Sequence, residues 1–299
     1  HLFFLKNKMW PYLKNKNIFS KDNLSLVFNH FEGIFNKKLD MTFSKKPEKN
    51  VDIRKKLKIS KFQKIILVVT SCYDELFANE IIGNQYPKKR LFKTNIEWLE
   101  FILDIAKKNP KIFFIIRLHP REVPSKRNPL KSESINNFYK LLDKKLTKNI
   151  FINWPDQNIS LYNILPYSDL VLTEGSNVTL EALLFGLPVL TCSEEYSAFP
   201  NDLVVISKNK FKYAENIKKN LNKPVNISKI LKTIKWVNLK IISSKINNLK
   251  SFNLQESFLN KFFNKYFRYF FYYLNILKIN NINEKNLILK EILDLDTPS

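Results

Sequence analysis

Short apolar runs that alternate with capped amphipathic segments predict an α/β fold, a doubly wound parallel sheet, over residues 61–210. Three observations carry that expectation. The runs IILVVT, IFFIIRL and LVL are continuous, as in strands buried on both faces. The segments between them repeat apolar residues at helical spacing and end at Gly, Pro or Asn. Polar residues follow each run at once, where sheets of this kind bind ligands beyond the carboxyl ends of their strands.

Residues 1–60 are rich in Lys and Asn, and only Leu24–Phe35 has the pattern of a regular element. The first strand is Ile65–Thr70. A helix follows from Thr94, where Thr94 and Glu97 form a T-x-x-E capping box. Trp98, Ile102, Ile105 and Ala106 make its apolar stripe, and Asn109-Pro110 stops it. Ile112–Leu118 is the second strand. Then come a helix near Ser134–Leu146, a strand at Ile150–Ile152, a short helix near Ile159–Leu165 and a strand at Leu170–Leu172. A helix through about Phe185 and strands at Pro188–Thr191 and Leu203–Ile206 complete the sheet. Residues 211–299 read as helical, so the chain divides into an incomplete N-terminal region (1–60), the sheet domain (61–210) and a helical C-terminal region. Leu259–Ile279 carries aromatics nearly all round, with Lys261, Lys265 and Arg268 at helical spacing. It fits a helix against a missing partner domain, an interfacial membrane helix or plain core.

With 299 residues, 44% of them hydrophobic, the chain can bury a substantial core. It has no apolar run long enough to span a bilayer, and HLFFLKNKMW has neither an initiator Met nor a cleavable signal pattern. The expectation is a soluble chain, truncated at its front. Cys72 and Cys192 are its only cysteines; they fit a reducing compartment, the cytoplasm by default, and form no disulfide framework or zinc-ligand set. The net charge of +23 is mostly Lys, scattered along the chain with abundant Asn and Ile. That speaks against a specific nucleic-acid partner, which calls for clustered charge and Arg forks. It does draw the chain to an anionic membrane, at roughly 1 kcal/mol per nearby basic residue, so peripheral contact at the inner face of the plasma membrane is expected.

The stretch Ser168–Thr191, SDLVLTEGSNVTLEALLFGLPVLT, sets a polar glycine turn between a strand and a helix. Gly175 can adopt positive φ, and Ser176 or Asn177 can cap the helix. The unpaired N–H groups of its first turn suit a phosphate, although an ordinary strand–turn–helix unit has the same pattern. Glu181, one turn further, can accept ribose hydroxyls or stabilise the helix dipole. Arg117, His119, Pro120, Arg121 and Glu122 stand at the end of the second strand. Neither His1 nor His30 has such a place. The His119 imidazole can donate to a phosphate oxygen and, if protonated, stabilise a leaving nucleotide. Asp74 and Glu75 follow the first strand and suit sugar hydroxyls or acid/base work, or serve as solvated capping groups. No dinucleotide, P-loop or zinc-protease motif is present, and Asp294-Leu295-Asp296 follows no core strand.

Together these residues resemble the Rossmann-like C-terminal half of GT-B glycosyltransferases, above all bacterial capsule and surface-polysaccharide proteins, over Lys61–Phe199. TSCYDE is similar to that group's post-strand turn. NIEWLEFILDIAKKNPKIFFIIRLHPRE is similar to its helix, strand and R-x-H-P-x-E element, and TEGSNVTLEALLFGLPVLTCSEEY to its S-x-x-x-x-E-A-x-x-x-G-x-P-V block. The resemblance implies sugar transfer from a nucleotide donor, CMP-, UDP- or GDP-linked, to a glycan or lipid-linked acceptor, with no cofactor and no obligatory metal. By position, His119 and Pro120 match the motif whose His approaches the donor phosphate. Ser176 and Thr179 match hydroxylated residues at the phosphate-binding helix start, and Glu181 matches the acidic residue that meets the ribose.

The candidate set is therefore His119, Asp74 and Glu75 for catalysis. Arg117, Pro120, Arg121, Glu122, Thr173, Gly175, Ser176, Asn177, Thr179 and Glu181 are the candidates for the donor. The HP motif with a serine-containing helix start is similar to Kdo and sialyl transferases and to CDP-glycerol polymer synthases, although Asn177 stands where those often have a second Ser or Thr. Only about sixty residues precede the domain, so the acceptor domain of a complete enzyme is missing, reduced or supplied by a partner. A nonhydrolysing UDP-sugar 2-epimerase-like isomerase and a noncatalytic nucleotide-binding module are the alternatives.

Overall fold

The structure, a computed structural model, describes residues 7, 10–15, 21–36, 44–72, 91–124, 133–157, 159–192, 199–223 and 226–245. Asp74, Glu75, Leu259–Ile279 and Asp294–Asp296 lie outside them. In chain order the helices are α1 (Trp10–Leu13), α2 (Lys21–Phe35), α3 (Ile53–Lys56), α4 (Asn95–Lys108) and α5 (Glu133–Lys145). Then follow α6 (Leu161–Ile164), α7 (Val178–Leu184), α8 (Lys210–Leu221) and α9 (Ile227–Lys245). The strands are β1 (Lys64–Val69), β2 (Ile112–Arg117), β3 (Ile150–Asn153), β4 (Leu170–Thr173) and β5 (Val189–Thr191). They form one parallel sheet in the order β3-β2-β1-β4-β5.

The period-two alternation of a strand sorts the core into two layers. Ile65, Leu67, Val69, Phe113, Ile115, Val171 and Val189 face one layer, with residues of α1, α2, α6, α7 and α9. Ile66, Val68, Phe114, Ile116, Leu170, Leu172 and Leu190 face the other, against α4, α5 and α8. Helices thus cover both faces, as the continuous apolar strands require. The first layer joins the two ends of the described chain: the Trp10 ring meets Trp236 edge-on at 5.5 Å, and Trp10 Nε1 donates to Asp202 Oδ1 at 2.9 Å.

Local chemistry explains the element ends. Thr94 Oγ1 accepts from Glu97 N at 3.1 Å, while Glu97 Oε2 accepts from Lys93 N, one residue outside the expected box. The stripe of α4 buries Trp98, Leu99, Ile102, Leu103 and Ala106, leaving Ile105 half-buried. Leu203–Ile206 does not form a strand. Leu203 closes a turn onto Pro200 O, and only Val205 bridges to β5, through its N–H to Val189 O and its carbonyl from Thr191 N. α7 stops short of Phe185 because Gly186, at φ 73°, turns the chain there; Gly186 N donates to Leu183 O and Leu187 N to Ala182 O.

Residues 44–51 run as a strap over the segment 160–167. Ser160 Oγ donates to Lys45 O at 2.6 Å, and Tyr167 OH to Val51 O at 3.3 Å. Asn163 pairs with both backbone groups of Glu48, at 3.0 and 2.8 Å. The strap, polar in sequence, is thereby tied through its backbone at Lys45, Glu48 and Val51, which leaves it little freedom of register.

Candidate active site

The chain builds β1, β2 and β3 outward in one direction, then returns to place β4 and β5 on the other side of β1. The crevice of such a sheet opens at that reversal, beyond the carboxyl ends of β1 and β4. Side chains join the strand ends here. His119 N donates to Thr70 Oγ1 at 3.0 Å, tying the exit of β2 to that of β1. Ser71 N donates to Glu174 Oε2 at 2.9 Å, tying β1 to β4.

His119 is half-buried and caps a 3-10 turn, Pro120–Glu122, whose fixed proline φ suits its first position. Its Nδ1 accepts from Arg121 N at 3.3 Å, so the ring proton sits on Nε2. Burial, then Arg121 and Arg117, push its pKa down to about 4. The imidazole is neutral at physiological pH and acts as an N–H donor, without the charge that the sequence reading allowed for. Glu122 is fully buried beside Glu174. Burial holds the Glu174 carboxyl up at about 8, with Glu122 adding to it and the Ser71 N–H opposing, so Glu174 keeps its proton at neutral pH.

The turn after β4 corrects one expectation. Gly175 sits at φ 103°, where a Cβ is unfavourable. Thr173 Oγ1, fully buried, accepts from both Gly175 N (3.2 Å) and Ser176 N (3.1 Å). Ser176 Oγ takes Val178 N at 3.4 Å, whereas Asn177 is already helical (φ −57°, ψ −22°) and makes no side-chain cap. The N–H groups expected to face a phosphate are thus largely held by side-chain hydroxyls of the turn, because a threonine closes the strand. Asn177 Oδ1 instead lies 3.5 Å from Lys240 Nζ of α9. Lys240 in turn lowers the pKa of His30 of α2, after burial as the larger cause.

The last register row of the sheet reads Asn153, Arg117, Val69, Thr173, Thr191, all buried. Arg117 turns inward on the first core layer. Its Nη1 donates to Asn153 Oδ1 and, at 3.0 Å, to Ile159 O. Burial brings its pKa down to about 10, against the pull of Glu181 and Tyr162. Glu181 is buried and hydrogen-bonded by Tyr162; burial raises its pKa to about 7, with Tyr162 and Arg117 opposing. Among the described residues, Glu181 Oε2, Thr179 Oγ1 and Thr191 Oγ1 are buried without a hydrogen-bond partner. Such orphaned oxygens are uncommon and call for an explanation.

The fold therefore gathers His119, Pro120, Arg121, Gly175, Ser176 and Asn177 around the crevice. It sets Arg117, Thr173, Thr179 and Glu181 below it, in the core. Pattern reading missed Asn153, Tyr162, Glu174, His30 and Lys240. Only Glu174 carried a sequence signal, as an acid set directly between a buried strand residue and a turn glycine. Among the described residues no three His, Cys, Asp or Glu side chains form a metal-binding group, and no helix is long and apolar enough to cross a membrane.

No family model matches this chain, and no curated protein matches it. Solved structures do. A UDP-GlcNAc 2-epimerase from Neisseria meningitidis bound to UDP-GlcNAc is 18% identical over 77% of this chain and 53% of its own, with a TM-score of 0.41. A UDP-GlcNAc 2-epimerase from Methanocaldococcus jannaschii in complex with UDP-GlcNAc and UDP is 18% identical over 74% and 53%, at 0.40. KpsC of Thermosulfurimonas dismutans, a beta Kdo 2,4 transferase, is 12% identical over 78% and 59%, at 0.40. At these identities the likeness is one of fold alone. The chain spans little more than half the length of these proteins.

Proposed function

We propose that the chain is a glycosyltransferase, or the donor-binding half of one, taking the phosphate and ribose of a nucleotide sugar at the crevice between β1 and β4. The observation that carries this reading is the neutral His119. Its Nδ1 accepts from Arg121 N and its backbone N–H donates to Thr70 Oγ1, so the ring is oriented at the strand ends with its proton on Nε2. In direct displacement at the anomeric carbon, negative charge develops on the departing phosphate oxygen, and a fixed donor stabilises it more than it stabilises the ground state. The R-x-H-P-x-E and S-x-x-x-x-E-A elements support the same reading, and with it a product in surface polysaccharide made at the cytoplasmic membrane face. Asp74 and Glu75, next along from β1, are the proposed proton acceptors for the acceptor hydroxyl. The test is a titration of CMP, CDP, UDP and GDP at fixed salt, followed by turnover of the matching nucleotide sugar. One nucleotide binds selectively, and His119→Ala cuts turnover about a hundredfold while weakening binding far less. Unselective, salt-sensitive binding indifferent to His119 sinks the reading.

Lys240 gives the phosphate a second source of positive potential beside Asn177. Lys240→Gln is expected to weaken nucleotide binding roughly tenfold and to flatten its dependence on ionic strength. An isomerase acting on the same donor uses the same geometry, because elimination of the nucleotide also places charge on that phosphate oxygen. Incubation of the nucleotide sugar without acceptor separates the two: an epimerised sugar identifies the isomerase.

A further inference from the structure

The positive charge is scattered along the sequence, but the fold gathers much of it at one end of the sheet. α4 leads straight into β2, so its last turn lies at the amino ends of the strands, opposite the crevice. α8 starts beside the start of α4, where Lys210 Nζ meets Glu97 Oε1 at 2.5 Å and Trp98 Nε1 donates to Tyr213 OH, and it therefore ends at the same edge. Lys107 and Lys108 close α4, and Lys218 and Lys219 close α8, all exposed. Lysine favours a helix C-terminus on its own account. Lys61, Lys111 and Lys148 do not share that reason, because they stand exposed in the turns that enter β1, β2 and β3. Gln63 Nε2 donates to Pro110 O at 3.5 Å across the first two of those turns. Lys64 pairs with Asp169 at 2.8 Å, whereas none of these other lysines has an ion pair among the described residues. Asp104 and Asp143 set exposed acids near the ends of α4 and α5, fewer than the lysines around them.

Two apolar side chains stand out on this edge. Phe62, 83% exposed, sits in the turn before β1 with Lys61 Nζ 5.0 Å from its ring, and Leu146, 49% exposed, follows α5 ahead of β3. β1 and β3 are two strand spacings apart in the sheet, roughly 10 Å. We propose that this amino edge docks on an anionic lipid surface, with its lysines against the headgroups and Phe62 and Leu146 at the acyl boundary. Charge complementarity selects the occupant. Lysines are compact point charges suited to a diffuse negative surface, and apolar tips add area that a bilayer boundary accepts. A nucleic acid calls for guanidinium forks; among the described residues the arginine at this edge is Arg54, whose Nη1 is spent on Ser60 O and Gln63 O. In this pose the crevice opens on the far side of the sheet, a strand length of roughly 20 Å from the lipid. The proposal gives the membrane-face reading above a surface, and its test uses no nucleotide, so the two fail separately.

The experiment sediments the full chain with vesicles of phosphatidylcholine alone and of phosphatidylcholine mixed with phosphatidylglycerol, at low and moderate salt. The chain is expected to bind the anionic vesicles, to leave the neutral ones, and to be released as salt shortens the range of its charges. Lys107→Gln, Lys108→Gln and Lys111→Gln combined are expected to weaken binding about a hundredfold, at about fivefold per lysine. Lys208→Gln, Lys210→Gln and Lys212→Gln, around the start of α8 on the opposite edge, remove the same charge and are expected to cost less than about tenfold. Phe62→Ser, at an exposed position, is expected to cost about tenfold and to leave the salt dependence unchanged. Equal losses from the two triple variants, or none from either, overturn the proposal, because no single face then carries the binding. Failure of wild type to bind anionic vesicles overturns it too. So does binding to single-stranded RNA that is tighter than to vesicles and is abolished by the first triple variant, which assigns the edge to nucleic acid.

Discussion

Arg117→Ala is expected to lower the unfolding free energy by about 3–5 kcal/mol, the scale for breaking a buried ionic network from one side. The guanidinium closes the sheet's last row. Its loss strands Asn153 Oδ1 and Ile159 O and removes the cation beside Glu181. Each orphaned acceptor carries the desolvation cost of a buried polar group, about 1–3 kcal/mol. Arg117→Lys recovers only part of the loss, because one ammonium cannot reproduce the planar fork. The pair Arg117→Met with Glu181→Gln is expected to lose less than the sum of its single changes. Urea denaturation of wild type, Arg117→Ala, Arg117→Lys, the double variant and its two single variants at one pH checks all of this, and a loss under about 1 kcal/mol for Arg117→Ala contradicts the role given to the guanidinium.

Stability is expected to fall as pH rises from 6.5 to 8. The Glu174 carboxyl is raised from 4.5 to about 8 in the folded protein, and Glu181 to about 7. The folded state therefore keeps protons that the unfolded chain releases. Their contribution is complete below pH 4.5 and is lost as pH climbs toward those values. His119, lowered from 6.5 to about 4, acts oppositely: its contribution is present above 6.5 and is lost as pH falls toward 4. His30, also lowered, has the same sign. By about one pH unit above 6.5 both histidines are neutral in either state, and Glu174 and Glu181 then dominate the slope, up to about 1.4 kcal/mol per pH unit for each proton. Glu174→Gln retains an oxygen for the Ser71 N–H and removes the titration. Melting curves at pH 6.5 and 8 are expected to separate in wild type and to draw together in the variant; equal separation in both refutes the assignment to Glu174.

What could be read in advance was whatever one segment decides by itself. Ile65–Thr70 and Ile112–Leu118 were legible as strands because an uninterrupted apolar run has nowhere to go but a sheet covered on both faces. Thr94 and Glu97 marked a helix start because capping is settled within four residues. Leu203–Ile206 has equal apolar character, yet pairing needs a free edge and a straight approach, and the turn at Pro200 removes the second. At the site, His119 and the Gly175 turn announced themselves by following strands. The inward aim of Arg117 depended on which sheet face its strand position shares, and that parity emerges only when β2 is set against β3. Tyr162 and Lys240 were illegible because their partners, Glu181 and Asn177, are brought to them by tertiary packing.

The first core layer has a consequence for synthesis. Trp10 and the α2 residues Val27 and Phe31 are made early, but they pack with Ile234, Trp236 and Val237 of α9, and Lys235 Nζ reaches back to Lys14 O across 221 positions. On the ribosome, the sheet can assemble while α9 is still inside the exit tunnel. The part of the first layer that α9 covers then waits open to solvent until the late helix emerges and docks. Non-local closure of this kind slows folding and lengthens the exposure of that apolar surface to other nascent chains.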